Sequence, residues 1–146
     1  MLSRPYTVLI IDDENDMCDY LVSVVDEQFG DELKIISCLS GQEAMEIVES
    51  EDVHIIITDL NMPGQSGYDI CKQVTEKNRS VQVLFFTGDL SMSVAMTCFR
   101  DGVLALLNKP VDPGKLIKCV GMGLERLDYW AEVFQKYNKT KRRKTG

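Results

Sequence analysis

The stretch that decides the fold is His54-Ile-Ile-Ile-Thr-Asp59-Leu-Asn-Met-Pro-Gly64, an apolar run that ends in an aspartate and then in turn residues. A β-branched run between chain-breaking residues is typical of a strand that is buried on both faces. Asp59 then lies at the carboxyl end of that strand, where open α/β sheets bind their ligands. On this strand alone, Asp59 is either a ligand-binding carboxylate or a polar cap, so the other strands must decide.

The composition favours one soluble domain of the cell interior. The chain has 146 residues, 45% of them hydrophobic, which suffices for a core of its own. Charges interrupt every apolar segment, so no run approaches the roughly 18 residues of a membrane span. The five cysteines form an odd set without any C-x-x-C pair, which fits a reducing cytosol, where cysteine behaves as a small apolar residue. We therefore expect a cytoplasmic protein without a signal peptide or membrane span.

The charge is divided unevenly along the chain. The net charge is −7, and residues 136–144 hold six cations and no acid, so the rest of the chain carries −13. An acidic body argues against direct nucleic-acid binding by the main domain. The basic tail could contact nucleic acid or a membrane surface, but we expect a disordered, solvated terminus.

Strand and helix patterns alternate along the chain. The predicted strands are Thr7–Ile11, Lys34–Cys38, the run that ends at Asp59, Val81–Phe86 and Leu104–Leu107. A helix follows each strand; the expected starts are a cap at Asn15 or Asp16, a cap at Ser40, a helix around Tyr68 to Lys77, a cap at Ser91, and Pro113 in a first turn. This alternation predicts a parallel sheet with right-handed crossovers and helices on both faces.

Four of these strands end in polar side chains that are suited to one reaction. They are Asp12 and Asp13, Asp59, Thr87, and Lys109. Parallel strands bring these ends to one edge, where three carboxylates repel each other unless a cation such as Mg²⁺ neutralises them. A lysine and a hydroxyl beside a hard metal are what phosphoryl transfer needs, with Asp59 as the nucleophile. Any one of these residues could be a surface cap, but the whole ordered set favours the functional interpretation.

The chain resembles the receiver domain of two-component response regulators, over about residues 6–123. The motifs that carry the resemblance are Val8-Leu-Ile-Ile-Asp-Asp-Glu14, Asp59-Leu-Asn-Met-Pro-Gly64, Phe86-Thr-Gly88 and Lys109-Pro110. The resemblance implies a flavodoxin-like (βα)5 fold of three layers, with a parallel five-stranded sheet of order 2-1-3-4-5. It also implies that Asp59 accepts a phosphoryl group from a sensor histidine kinase or a histidine phosphotransfer protein.

The resemblance further implies roles for the neighbouring residues. Mg²⁺, with Mn²⁺ as a possible substitute, would be held by Asp12, Asp13, Asp59 and the main-chain carbonyl of Asn61. Thr87 would move toward the phosphoryl group, and Lys109 would form an ion pair with it after a cis Lys109-Pro110 peptide. The modulating positions would be Asn61, Gly88, Asp89 and Leu106. Polar residues at Asn61 and Asp89 suggest a short-lived phosphoryl group.

Leu106 is a departure from the family pattern, because the family usually has Tyr or Phe three residues before the lysine. That ring follows the movement of the threonine in the family. In this chain the coupling from Thr87 to the surface must be weaker or use other side chains.

The end of the chain extends beyond the usual receiver. We predict a receiver domain over 1–123 and, over 124–146, a helical extension with a basic tail or linker. A helix from about Pro113 to Tyr137 would carry apolar residues in a heptad rhythm, at Ile117, Val120, Leu124, Leu127, Ala131 and Phe134. This stripe either packs back on the domain or projects, with Tyr129 and Trp130, toward a partner helix or an output domain. A homodimer through this helix is possible.

The predicted function is a phosphorylation-dependent switch that catalyses only its own phosphorylation and hydrolysis, and so is not an enzyme with an outside substrate. An aspartyl-phosphate hydrolase is disfavoured because Asn61 replaces the second acid of its Asp-x-Asp motif. A flavin or dinucleotide carrier is disfavoured because no G-x-G-x-x-G follows the first strand. A degenerate receiver that signals without phosphate is disfavoured because the chain has the full set of acids, threonine and lysine. The amino-terminal fragment of a larger regulator with enzymatic output, or a constitutive dimerisation module, are the alternatives.

Overall fold

The computed structural model describes residues 2–146 and contains one parallel sheet. Its strands are β1 (Tyr6–Ile11), β2 (Leu33–Cys38), β3 (Ile55–Asp59), β4 (Gln82–Thr87) and β5 (Ala105–Asn108), in the order β2-β1-β3-β4-β5. This order confirms the predicted flavodoxin-like arrangement. The register aligns the strand ends, because Ile11 pairs with Thr58, Asp59 with Phe86, and Thr87 with Asn108.

Five helices cover the two faces of the sheet. They are α1 (Asn15–Phe29), α2 (Gly41–Ser50), α3 (Gly67–Lys77), α4 (Met92–Arg100) and α5 (Pro113–Thr145), and a 3₁₀ turn spans Gly30–Glu32. Alternate strand residues enter two separate cores: Ile10 and Ile57 pack with α1 and α5, whereas Ile11 and Ile56 pack under α2, α3 and α4. The result is the predicted three-layer architecture. Within residues 2–146, no helix has the length and apolarity needed to cross a membrane.

Four of the five helices begin where the sequence predicts. Ser40 and Ser91 accept main-chain hydrogen bonds as N-caps, and Pro113 opens α5 after an Asp112 cap. The predicted cap at Asn15 or Asp16 is wrong, because the N-cap of α1 is Glu14 and its side chain makes no capping bond. Asp12 causes the difference, since its Oδ1 accepts the Glu14 amide at 2.7 Å and fixes the turn before the helix.

Helix α5 is longer than predicted and divides into two parts. It runs through Thr145, so the helix continues where a loose tail or linker was expected. Cations at a helix carboxyl end are favourable with the helix dipole, which accounts for the continuation. Its first half packs into the core through Leu116, Val120, Leu124 and Leu127. The two expectations for the apolar stripe therefore each hold for one half, while the domain division after residue 123 stays a prediction.

Candidate functional site

Three carboxylates meet at the carboxyl edge of the sheet. Asp12 follows β1 directly, Asp13 is next, and Asp59 is the last residue of β3. Each offers an oxygen, and these atoms all lie within 4.8 Å of one another. Asp12 and Asp59 are buried, whereas Asp13 is exposed. The sequence prediction that these acids converge is confirmed.

Asp12 is a buried carboxylate whose negative charge is poorly compensated. Its Oδ1 accepts the Glu14 amide, but its Oδ2 is buried and has no hydrogen-bond partner among residues 2–146. Burial, with further repulsion from the Asp59 carboxylate, raises the pKa of Asp12 from 3.8 to about 6. Buried polar atoms normally have partners, and oxygen donors of this kind suit a hard divalent cation. The donor set therefore fits the predicted metal site.

Asp59 is held from both oxygens. The Lys109 ammonium lies 2.6 Å from Oδ2, and the Asn61 amide donates to Oδ1 at 3.0 Å. Desolvation alone would lower the pKa of Lys109, but the hydrogen bond and charge of Asp59 outweigh it, so this pKa is raised. The Lys109-Pro110 peptide is cis, as the resemblance implied. Asp59 is therefore held in one orientation. It lies beside the carboxylates of Asp12 and Asp13 and forms an ion pair with Lys109.

Thr87 forms hydrogen bonds with two of the predicted modulating residues, Asn61 and Asp89. Its side chain is fully buried, and its Oγ1 accepts the Asp89 amide at 3.1 Å and the Asn61 side-chain amide at 3.4 Å. Gly88 lies between Thr87 and Asp89 and is exposed. The predicted modulators Asn61, Gly88 and Asp89 therefore lie around the threonine and the phosphoacceptor candidate.

Leu106 lies away from the carboxylates. It is half-buried in β5, pairs in register with Phe85, and belongs to the core under α4 that includes Val94 and Cys98. Its aliphatic side chain fills the position where the family places a ring. Leu106 is thus part of the core between the sheet and α4.

Gly67 is a site residue that sequence reasoning missed. A Cβ added there would lie 1.9 Å from the main-chain oxygen of Asp59, so only glycine permits this approach. The Gly67 amide also donates to the Leu60 carbonyl at 2.9 Å. A short antiparallel ladder of Asn61–Met62 with Gln65–Ser66 completes the loop. The turn-rich sequence 63–67 signalled a loop but not this contact.

A flavodoxin-like sheet with three acids, a threonine and a lysine at the carboxyl ends of β1, β3, β4 and β5 defines the receiver class. The family model of the response regulator receiver domain matches residues 8–121, and the chain belongs to that family. It is therefore a receiver domain of two-component signalling.

Comparisons with individual proteins agree with this assignment. The chain is 32% identical over 117 residues to the phosphoglycerate transport system transcriptional regulatory protein PgtA of Salmonella typhimurium, covering 80% of this chain and 28% of that protein. It is 32% identical over 113 residues to the uncharacterized transcriptional regulatory protein YesN of Bacillus subtilis, covering 77% and 30%. The chain thus spans less than a third of either relative.

A solved structure shows the same fold. The signal receiver domain of a putative Luxo repressor protein from Vibrio parahaemolyticus superposes with a TM-score of 0.80 at 23% identity. The match covers 88% of this chain and 96% of that chain. At this level of identity the likeness concerns the fold alone.

Proposed function

We propose that this chain is a phosphorylation-activated response regulator, in which Asp59 accepts a phosphoryl group from a histidine kinase or a histidine phosphotransfer protein in a Mg²⁺-dependent reaction. The observation that carries the proposal is the Lys109 ammonium 2.6 Å from the buried Asp59 carboxylate, in a cluster of three acids whose oxygens lie within 4.8 Å. Phosphoryl transfer depends on such positioning and charge neutralisation.

In the proposed transfer, a carboxylate oxygen of Asp59 attacks the phosphorus of a phosphohistidine. A P–O bond forms as the P–N bond breaks, and the imidazole nitrogen leaves with the electron pair. Lys109 and the Asn61 amide orient the attacking carboxylate through the hydrogen bonds that they already make. Asp12, Asp13, Asp59 and the Asn61 carbonyl would hold the ion, and a bound Mg²⁺ supplies positive charge to the phosphoryl oxygens.

Hydrolysis would return the switch to its resting state. A water oxygen attacks the same phosphorus, the P–O bond to Asp59 breaks, and inorganic phosphate leaves. We propose a short phosphoryl lifetime because the residues at positions 61 and 89 are polar and lie next to Thr87, which accepts hydrogen bonds from the Asn61 side-chain amide and the Asp89 main-chain amide. The chain would catalyse only these two steps on itself. Failure to turn over an added phosphate ester, beside successful self-labelling, would support this limit.

The proposed setting is the cytoplasm, with a kinase or phosphotransfer protein as the phosphoryl donor. The body of the chain carries −13 outside residues 136–144, so we do not expect the receiver itself to bind nucleic acid. The relatives PgtA and YesN are named as transcriptional regulators, and both are longer than the matched region. We therefore propose that the receiver controls either an output domain or a separate partner protein.

The test is labelling with acetyl phosphate, followed by intact mass measurement. We expect one added phosphoryl group with Mg²⁺ and none with a chelator. Asp59→Asn should abolish labelling, whereas Asp19→Asn, an exposed aspartate of α1, should leave it unchanged. Labelling of the Asp59→Asn variant at the wild-type rate would refute the assignment of the phosphoacceptor.

A second proposed role concerns the far half of α5, as a dimerisation element. Four aromatic side chains there remain 41 to 64% exposed, namely Tyr129, Trp130, Phe134 and Tyr137. Aromatic side chains present about 150–250 Å² each, so the exposed area is on the order of 400 Å², which is comparable with the largest apolar patch of a typical monomer, a patch that is often functional. This observation favours a homodimer through the terminal helix.

A further inference from the structure

A cleft opens between helix α3 and the loop that follows α4. Its volume is about 500 Å³, which lies within the usual range for small-molecule sites. The opposite wall from α3 is the loop 101–103. The wall on the α3 side is a stripe along one side of that helix and the turn at its end, formed by Tyr68, Cys71, Lys72, Thr75, Glu76 and Arg79. The cleft is thus separate from the site formed by the three acids, Thr87 and Lys109.

The floor of the cleft is apolar. It is formed by Val81, Val83 and Phe85, which alternate along β4 and the residue before it and therefore face the same side of the sheet. All three are buried, and they belong to the core under α2, α3 and α4. An apolar floor beneath an open cleft favours a ligand with an apolar part, because binding removes both apolar surfaces from water.

Tyr68 lies at the end of the cleft that is nearer the carboxyl edge of the sheet. Its ring packs on Phe85 with 6.2 Å between the ring centroids. Its hydroxyl donates a hydrogen bond to Oδ2 of Asp101 and so connects α3 with the loop after α4. The two walls are therefore linked, and the cleft is preformed.

Four charged side chains line the cleft, and they offer both signs. Lys72 and Arg79 are the cations, and Glu76 and Asp101 are the acids. All four residues are exposed, so they stand at the rim rather than at the floor. Within residues 2–146, none of the four forms an ion pair with another side chain. Because Tyr68 donates to Oδ2 of Asp101, its Oδ1 remains available to a ligand.

We propose that this cleft binds a free amino acid with a large apolar side chain. The apolar side chain would lie on the floor, and the α-carboxylate would contact Lys72 and Arg79. The α-ammonium would donate to Asp101, with Glu76 as a second acceptor. The inference concerns a site of its own and does not depend on phosphorylation of Asp59.

The charges of the rim select this class of ligand. A simple anion would be attracted by two cations but repelled by Glu76 and Asp101, and a simple cation would meet the opposite imbalance. A neutral apolar molecule would use the floor and leave the four charges without partners. A zwitterion with an apolar body uses the floor and satisfies both signs of charge.

The first experiment is an NMR titration of the ¹⁵N-labelled full chain with L-phenylalanine and with L-leucine. We expect saturable shifts of main-chain amides in residues 71–76, 81–85 and 101–103. Shifts that are absent with both amino acids up to about 20 mM, a concentration far above millimolar affinity, would overturn the proposal. Shifts confined to other parts of the chain would overturn it as well.

Two analogues of phenylalanine test the role of the charges. In 3-phenylpropionate the ammonium is missing, and in 2-phenylethylamine the carboxylate is missing. Each should bind roughly fivefold or more weakly than L-phenylalanine, the factor for loss of one exposed charge contact. If either analogue binds as tightly as the amino acid, recognition of a zwitterion is refuted.

Matched variants assign each charge to its partner. Asp101→Asn keeps an acceptor for Tyr68 and should weaken L-phenylalanine roughly fivefold, but it should not weaken 3-phenylpropionate, which lacks the ammonium. Lys72→Gln with Arg79→Gln should weaken L-phenylalanine and spare 2-phenylethylamine. Lys77→Gln removes an exposed cation of α3 outside the lining and is the control. Equal weakening of the amino acid and both analogues by a variant would indicate distortion of the cleft and would overturn the assigned contacts.

Discussion

Replacing Asp12 by Asn should stabilise the metal-free protein. The Asp12 carboxylate is buried with an unpartnered Oδ2, next to the carboxylates of Asp13 and Asp59. In an asparagine, Oδ1 can still accept the hydrogen bond from the Glu14 amide. The unpartnered oxygen is replaced by an NH₂ group, which can donate a hydrogen bond to the Asp59 carboxylate. The substitution thus removes a negative charge that destabilises the folded protein.

The pKa of Asp12 sets the magnitude. A rise from 3.8 to about 6 lowers the free energy of unfolding by about 3 kcal/mol when the group is ionised in both states. The folded pKa is the higher one, so the penalty is absent below pH 3.8, grows between pH 3.8 and about 6, and is complete above that. The free energy of unfolding of the variant should therefore exceed that of the wild type by about 3 kcal/mol at pH 7.5 and by roughly half as much at pH 5.

The assay is urea unfolding followed by circular dichroism, in chelator and then with saturating Mg²⁺. Asp19→Asn is the matched control, because it removes the same charge from an exposed position of α1. Mg²⁺ should stabilise the wild type and the control, and should stabilise Asp12→Asn much less. The reasoning is refuted if Asp12→Asn and the wild type unfold alike in chelator at pH 7.5, or if their difference does not change with pH.

Three further substitutions test the packing, each by urea unfolding. Gly67→Ala should destabilise by about 1–3 kcal/mol, because its Cβ would collide with the Asp59 carbonyl; wild-type stability would contradict that contact. Gly121→Ala should stabilise by about 0.5–1 kcal/mol, since α5 leaves open space there and alanine favours helix; a loss would indicate a hidden contact. Gln82→Ala should cost about 1–2 kcal/mol, because the buried Gln82 amide donates to the Gly123 carbonyl at 2.9 Å, and no loss would show that this bond is dispensable.

Much of the fold could be predicted because the three central strands, β1, β3 and β4, are buried on both faces. Continuous apolar runs such as 55–57 are buried on both sides only between two helical layers, and their alternation with helical patterns predicts a parallel sheet. Polar residues that end these runs must then share one edge. For this reason the sequence alone predicts that Asp12, Asp59, Thr87 and Lys109 lie close together.

The helix rules applied to the sequence failed at the start of α1 and at the end of α5. Asn15 and Asp16 are good capping residues, but the side chain of Asp12 takes the Glu14 amide and moves the start of α1. The basic end of α5 has the composition of a loose terminus, yet it continues a helix that the core has already nucleated. In the first case a side chain two residues upstream set the start of the helix, and in the second a helix anchored in the core continued past the point where a loose terminus was expected.

The sequence by itself determined the alternation of strands and helices and the identity of the side chains at the carboxyl edge, because both follow from patterns that are local in the chain. The strand order followed from the resemblance to the receiver family. Only the tertiary structure decided that Asp12 keeps an unpartnered oxygen, that Gly67 touches the Asp59 carbonyl, and that half of α5 packs while half projects. Those features depend on distances between residues far apart in sequence. No pattern along the chain encodes such distances until the core has closed.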